Sequence, residues 1–204
     1  IPGDGIGPEV VREASKVVEA AGARHGFSIA WEDYPFGAEH WLNTGETMPD
    51  SALDEIGGAD ALLLGAVGDP RVKPGVLERG ILLRVRFHFD QYANLRPARS
   101  YPNVPLPVRL HSGGRLDTLV VRENTEDFYI GIGGATQGGS LSLDLAARRG
   151  LYSVEGRLEG GFTGGVEGVF QLGVATEPGI RRVTARAARA AKERREDRIA
   201  LATK

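Results

Sequence analysis

Cysteine is absent from the 204 residues, and methionine occurs once. The first absence excludes disulfide scaffolds, zinc ribbons, thiol nucleophiles and iron–sulfur sites together. No apolar run approaches the roughly 20 residues that a membrane-spanning helix needs. No signal peptide is visible, so a cytoplasmic location is the expectation. A charge surplus is missing as well: 25 Lys+Arg stand against 27 Asp+Glu, a net −2. That balance speaks against a basic nucleic-acid binder and an acidic tail protein. The histidines His25, His40, His88 and His111 show no ligand spacing and read as structural or surface groups. What is present is the ordinary globular mix, 41% hydrophobic and 25% charged. Glycine is the one excess, with 29 residues, about twice the usual ~7%.

The length allows one large domain or two small ones. Pro8 suits a first helical turn, and Val10, Val11, Ala14, Val17, Val18 and Ala21 follow at helical spacing. Gly22 or Gly26 closes that helix. Phe27–Trp31 alternates like a strand, and Pro49 with Asp50 or Ser51 as cap opens a second helix. Ala61–Leu64 is a short apolar run suited to a strand buried on both faces of a parallel sheet. That order of elements predicts an α/β layer structure, with ligands at strand C-terminal ends such as the Gly65–Pro70 loop. Residues 76–93 read as mixed helix, Leu116–Val121 as a second buried strand and 178–196 as a helix. Ile180, Val183, Ala187, Ala190 and Ala191 form the apolar stripe of that last helix. Its basic residues, Arg182 and Arg186 among them, read as a solvated face. Between 131 and 168, 12 of 38 positions are glycine and no helical period survives. This stretch is expected to be a mobile or arm-like insertion, such as a β-hairpin crossing to another subunit, or else a disordered surface loop. The terminal run Arg198–Lys204 reads as a short buried strand. Both ends of the chain are expected to be truncated, because a glycine loop of the Gly3–Gly7 kind normally follows a strand.

Several residues suit chemistry. Gly3, Gly5 and Gly7 allow close backbone approach to a ligand, and the helix start behind them favours a negative group. A plain structural turn explains them equally well. Arg86, Arg96 and Arg122 lie at the ends of elements, where a guanidinium can grip a carboxylate in bidentate fashion. Three that converge would hold a dicarboxylate, whereas surface salt bridges are the ordinary alternative. Tyr129, seven residues after Arg122, could donate a proton, or be a tyrosine with a satisfied hydroxyl. Lys204, at a strand end, could serve as a base when partly desolvated.

Taken in order, Ile1–Val10, Gly65-Ala66-Val67-Gly68, Tyr92-Ala93-Asn94-Leu95-Arg96-Pro97, Val121-Arg122-Glu123-Asn124-Thr125-Glu126 and Thr203-Lys204 resemble the β-decarboxylating dehydrogenases. This is the family of 3-isopropylmalate, isocitrate, homoisocitrate and tartrate/D-malate dehydrogenases. The match covers nearly the whole chain. It implies the α/β, isopropylmalate dehydrogenase-like two-domain fold, with non-Rossmann nucleotide binding and incomplete in this chain. Residues 1–98 would form the first domain. Residues 99–204 would form the second, substrate and dimerisation domain with its arm at 131–168. The implied reaction is oxidation of a 2-hydroxy acid by NAD, loss of the β-carboxylate as carbon dioxide, and protonation of the enol, with Mg²⁺ or Mn²⁺ as Lewis acid. By motif, Arg86, Arg96 and Arg122 would hold the malate carboxylates, Tyr129 would protonate the enol and Lys204 would assist deprotonation of the hydroxyl. In the family that lysine acts in the neighbouring subunit's site, which implies a homodimer. Ile6, Gly68 and Asp69 would lie by the nicotinamide half of the cofactor. No metal ligand is expected in this chain, since the family's aspartates lie beyond the lysine motif.

The sequence departs from the family in two further places. The stretch between Tyr129 and Lys204 is long, with its excess in the glycine-rich arm, and the tyrosine motif reads Asp127-Phe128-Tyr129. Substrate choice is expected from the segment before Arg86. There Leu82 and Leu83 offer an apolar wall suited to an isopropyl group, worth about 1–3 kcal/mol of discrimination. This favours 3-isopropylmalate. Tartrate or D-malate comes next, then homoisocitrate or isocitrate. Two other classes compete with the enzyme: a non-catalytic subunit of the same family, and a dicarboxylate-binding module without redox chemistry.

Overall fold

The computed structural model describes residues 1–110 and 114–202. They divide into two compact units, Ile1–Phe89 and Asp90–Lys204. The division precedes the expected boundary after residue 98. The strand Ala93–Arg99 accounts for the difference, because it pairs with Asp117–Glu123 in the second unit.

Helix α1 (Gly7–His25) opens the first unit, with Pro8 in its first turn and Gly26 at φ 76° as its C-cap. Val11, Ala14, Val18 and Ala21 form its half-buried stripe, while Val10 and Val17 are exposed. Helix α2 (Ala38–Thr44) lies between Gly37 and Gly45 and was not foreseen. Helix α3 (Asp50–Ile56) starts as expected, but Pro49 is the N-cap and no side chain caps it. A π-helical turn (Glu78–Leu83) then runs into α4 (Arg84–His88). Met48, Leu53, Leu77 and Ile81 are almost fully buried and form the centre of the core, joined by Ala52, Ile56 and Val85. Each large aliphatic side chain buried there contributes about 1.5–3 kcal/mol.

Two expected strands of this unit are not formed. Among the described residues, Phe27–Trp31 carries no ladder. Ala61–Gly65 is extended but half-buried at best. Its backbone bonds run to the start of the chain: Ile1 N donates to Leu63 O at 3.0 Å, and Gly65 N donates to Ile1 O at 2.9 Å. No parallel sheet is therefore present among the described residues. An apolar run becomes a strand only when a neighbouring strand supplies a ladder of bonds along it.

The second unit is built on three two-stranded antiparallel ladders. Strand β1 (Ala93–Arg99) pairs with β2 (Asp117–Glu123), which is half-exposed rather than buried. The glycine-rich stretch is an ordered arm of nested ladders. Strand β3 (Gly133–Ala135) pairs with β6 (Val169–Gln171), and between them β4 (Ser140–Arg148) pairs with β5 (Ser153–Gly161) over nine residues. Helix α5 (Glu177–Glu193) follows, with Thr176 as N-cap accepting from Gly179 N at 3.1 Å. Its apolar stripe is shallow, since Ala190 is buried but Ile180 is 53% exposed. The terminal Ile199 and Leu201 are 57% and 87% exposed, so the expected buried strand is absent from the described residues.

Candidate active site

The second unit brings three of the expected residues together. In the β1–β2 ladder Asn94 stands opposite Arg122, and Arg96 stands opposite Val120. Opposite residues share a face, and so do alternate residues of one strand. Arg96 and Arg122 are therefore diagonal neighbours on one face, about 7–8 Å apart at their backbones. The Arg122 guanidinium lies 5.3 Å from the centroid of the Tyr129 ring, within cation–π range. Its Nη2 donates to Asn124 Oδ1 at 3.0 Å. Two buried atoms on this face have no hydrogen-bond partner: the Arg122 Nε donor and the Asn94 Oδ1 acceptor. Buried polar atoms are seldom left unmet, so a polar ligand fits here.

The turn between Arg122 and Tyr129 is held by carboxylates. The Glu123 side chain accepts from Thr125 N at 2.8 Å, Glu126 N at 2.6 Å and Thr125 Oγ1 at 2.8 Å. Glu126 is 2% exposed and accepts from Thr176 N at 2.9 Å and Thr176 Oγ1 at 2.6 Å, at the start of α5. A negative group at a helix N-terminus is favoured by the orphan N–H groups and the dipole. Gly179 makes this contact possible, since a Cβ there would sit 2.2 Å from Glu126 Oε1. Asp127 has φ 55° and ψ −137°, a conformation costly for a residue with a side chain, and it leads into the short 3₁₀ turn Phe128–Ile130. The unusual Asp127-Phe128-Tyr129 reading thus marks a strained backbone position.

Other expected residues belong to the first unit. Arg86, on α4, is 7% exposed, and Leu82 lies four residues before it in the π-helical turn. Leu82 is 36% exposed and Leu83 half-buried. Ile6 is the N-cap of α1 and 69% exposed. The Gly3–Gly7 loop packs directly on the Gly65–Pro70 loop. Asp4 N donates to Ala66 O at 2.6 Å, and a Cβ on Gly3 would lie 2.0 Å from that same oxygen. Asp4 fixes the arrangement, its Oδ1 accepting from Ala38 N at 2.7 Å and its Oδ2 from Gly68 N at 3.0 Å. Asp69 is bound by Arg71 Nε at 3.0 Å and Nη2 at 2.9 Å. Hydrogen bonds from Arg71 hold the Asp69 carboxyl below its usual range. Around Gly68 no heavy atom comes within 4 Å of an added Cβ. Gly68 and Ile6 are therefore both left open.

Lys204 and His111 lie outside the described residues. Among the described residues no group of three or more His, Asp or Glu could hold a metal ion, so they supply no complete cation shell. No helix among them is long and apolar enough to cross a membrane.

Residues outside the expected set also shape the site. Arg182, assigned above to a solvated basic face, points inward. It pairs with Asp90 Oδ2 at 2.7 Å, donates to Thr125 Oγ1 at 2.9 Å and lies 4.5 Å from the centroid of the Tyr92 ring. Charge periodicity along a helix does not reveal which of several arginines meets a carboxylate 92 residues away. Glu126 was visible only as part of a motif, and Asp4 only as turn chemistry.

The chain belongs to the isocitrate/isopropylmalate dehydrogenase family, whose model matches residues 1–204. It is 53% identical over 140 residues to a 3-isopropylmalate dehydrogenase of Thermobifida fusca (strain YX), covering 69% of this chain and 40% of the relative. To a 3-isopropylmalate dehydrogenase of Mycolicibacterium vanbaalenii it is 45% identical over 168 residues, covering 78% of this chain and 48% of the relative. Among solved structures, the isocitrate dehydrogenase of Methylococcus capsulatus superposes with a TM-score of 0.67 at 26% identity, covering 96% of this chain and 47% of that one. A β-decarboxylating dehydrogenase of Thermococcus kodakarensis superposes with a TM-score of 0.54 at 28% identity, covering 96% and 45%. This chain thus holds part of the family's fold and spans less than half the length of these relatives.

Proposed function

We propose that this chain carries substrate-gripping machinery of an NAD-dependent, divalent-metal-dependent dehydrogenase that oxidatively decarboxylates a 3-substituted (2R)-malate, with 3-isopropylmalate as the acid. The observation that carries the proposal is the shared face of Arg96 and Arg122 with the Tyr129 ring 5.3 Å from Arg122. The names of the relatives, 3-isopropylmalate dehydrogenases at about half identity, support the choice of acid. So do Leu82 and Leu83, which present apolar surface four and three residues before Arg86.

In this reading Arg86, Arg96 and Arg122 bind the malate carboxylates through charge-assisted bonds. When bound, NAD would supply a hydride acceptor and the divalent cation Lewis-acid chemistry. Lys204, acting in the neighbouring subunit's site of a homodimer, assists loss of the hydroxyl proton. The bond from C3 to its carboxylate then breaks, carbon dioxide leaves, and the electron pair becomes the C2–C3 double bond of an enolate as the C2 carbonyl's π electrons move onto its oxygen. Tyr129 gives its phenolic proton to C3, and the 2-oxo acid results. Ile6, Gly68 and Asp69 border the nicotinamide. The enzyme works in the cytoplasm, with no nucleic-acid or membrane partner. Tartrate or D-malate is the second reading, because Leu82 is 36% exposed and closes no fitted pocket by itself.

The test is NADH formation by the natural polypeptide that contains this chain, with Mg²⁺ or Mn²⁺. The acids to compare are 3-isopropylmalate, D-malate, tartrate, isocitrate and homoisocitrate. The reading expects the highest kcat/KM with 3-isopropylmalate. No turnover of any acid would sink it, and preference for another would move the chain to that branch.

A further inference from the structure

The hairpin of β4 and β5 does more than extend the second unit, because its turn reaches the segment that carries Tyr129. Arg149 is the first residue after β4. Its Nε donates to the carbonyl of Thr125 at 3.1 Å, and its Nη2 donates to the carbonyl of Tyr129 at 3.1 Å. Its Nη1 donates to Arg148 O at 2.8 Å, which anchors the guanidinium to its own strand end. A guanidinium is a rigid planar fork, so two carbonyls bound by one fork are held at a fixed separation.

Those two carbonyls flank the strained residue. Asp127, at φ 55°, lies two residues after Thr125 and two before Tyr129. A backbone conformation of that kind persists only where its surroundings over-determine it. Glu123 and Glu126 brace the turn from β2 and α5, and Arg182 grips the Thr125 side chain. The Arg149 fork reaches the backbone of Tyr129 itself at the carbonyl, while the Tyr129 N–H donates to Glu126 O at 3.2 Å. Burial of its guanidinium, which lowers its pKa, fits a group withdrawn from water to hold carbonyls.

We infer that Arg149 is a positioning residue: from the arm hairpin it fixes the backbone of Tyr129, so that the phenol stays against Arg122 and aims at the reacting carbon. The inference rests on the reading of Tyr129 as the proton donor. It makes the glycine-rich arm part of the proton-delivery machinery as well as an extension of the fold.

The experiment compares Arg149→Gln, Arg149→Lys and Arg157→Gln in the natural polypeptide, with Tyr129→Phe as reference. Arg157 lies on the same hairpin, paired with Asp144 at 3.1 Å and remote from the Tyr129 turn, so it controls for disturbance of the arm. Ring-¹³C-tyrosine labelling gives a Tyr129 signal, assigned by its loss in Tyr129→Phe, and steady-state kinetics give kcat and KM. The expected result for Arg149→Gln is a shifted Tyr129 signal and a kcat lower by about tenfold to a hundredfold, since small misplacements of a reacting group cost that much. KM changes by less than about threefold, because carboxylate binding is left to other arginines. Arg149→Lys recovers part of the loss, and Arg157→Gln moves neither readout. An unmoved Tyr129 signal, or a raised KM with kcat retained, overturns the inference. If Arg149→Gln does not fold, the signal in Arg149→Lys decides by the same criterion. A shifted signal with kcat retained in both Arg149→Gln and Tyr129→Phe leaves the clamp standing and sinks the acid role of Tyr129.

Discussion

The first unit is held together by oil and the second by salt and hydrogen bonds. Between Ile1 and Phe89 the buried residues are Met48, Leu53, Ile56, Leu77, Ile81, Val85 and their apolar neighbours, with Asp4 and Arg86 as the polar exceptions. Among the described residues between Asp90 and Lys204 the buried apolar set shrinks to Ile130, Ile132, Leu141 and Ala190. Asn124, Thr125, Glu126 and Thr136 are buried beside them. A core of aliphatic side chains tolerates no polar group without cost. A turn wired by Glu123, Glu126, Arg149 and Arg182 can present guanidinium and phenol groups at fixed positions. The lesson is a division of labour: apolar packing forms the core of the first unit, where Asp4 ties the glycine loops by hydrogen bonds, and a polar network holds the turn between Arg122 and Tyr129 in the second.

That contrast can be broken from either side. The largest effect is expected from Leu53→Ala, which removes a side chain only 1% exposed and should cost the first unit about 2–5 kcal/mol. Trp31 and Trp41 are the only tryptophans and both lie in the first unit, so denaturant unfolding followed by tryptophan fluorescence reads this loss directly. Next comes Arg122→Ala. It should lower kcat/KM by roughly tenfold to a hundredfold, about 1.5–3 kcal/mol for charge-assisted bonds, without shifting the tryptophan transition. Near-normal kinetics would contradict the site. Glu126→Gln should weaken the second unit by about 1–3 kcal/mol, because an amide can no longer accept from both Thr176 donors. Hydrogen exchange in the first turn of α5 should report it.

The smallest effect is acid sensitivity. Arg194 holds the Asp117 carboxyl below the usual range by a hydrogen bond, and Thr136 does the same for Glu167. A carboxylate whose folded pKa is depressed stabilises the fold above its unfolded value and loses that contribution as pH falls through the folded one. Both contacts are long-range, 77 and 31 residues apart in sequence, whereas Asp69 in the first unit meets Arg71 two residues away. Below about pH 4, where unperturbed carboxylates protonate, pepsin should therefore cut within 90–204 before it cuts within 1–89. The reverse order would dissolve the contrast.

What was legible in the sequence follows the range of the interactions. Local patterns revealed α1, the start of α3, β2 and α5, because periodicity, proline and capping act within one or two turns. The runs Phe27–Trp31 and Ala61–Leu64 misled, since a strand depends on partners far along the chain. The arm was partly legible: glycine density and the lost helical period allow a hairpin, and the strict alternation Ser140-Leu141-Ser142-Leu143-Asp144-Leu145 marks β4 itself. Arg96, Arg122 and Tyr129 were visible as motif residues. Their shared face needed the β1–β2 register, and the Arg149 fork needed the hairpin turn.

The most direct test is the steady-state rate of NADH formation from 3-isopropylmalate by the natural polypeptide carrying Tyr129→Phe, beside the unaltered protein. Loss of a positioned proton donor costs about 10²–10⁴ in rate, so kcat should fall at least a hundredfold while KM stays within about threefold. A raised KM with kcat retained would contradict the account.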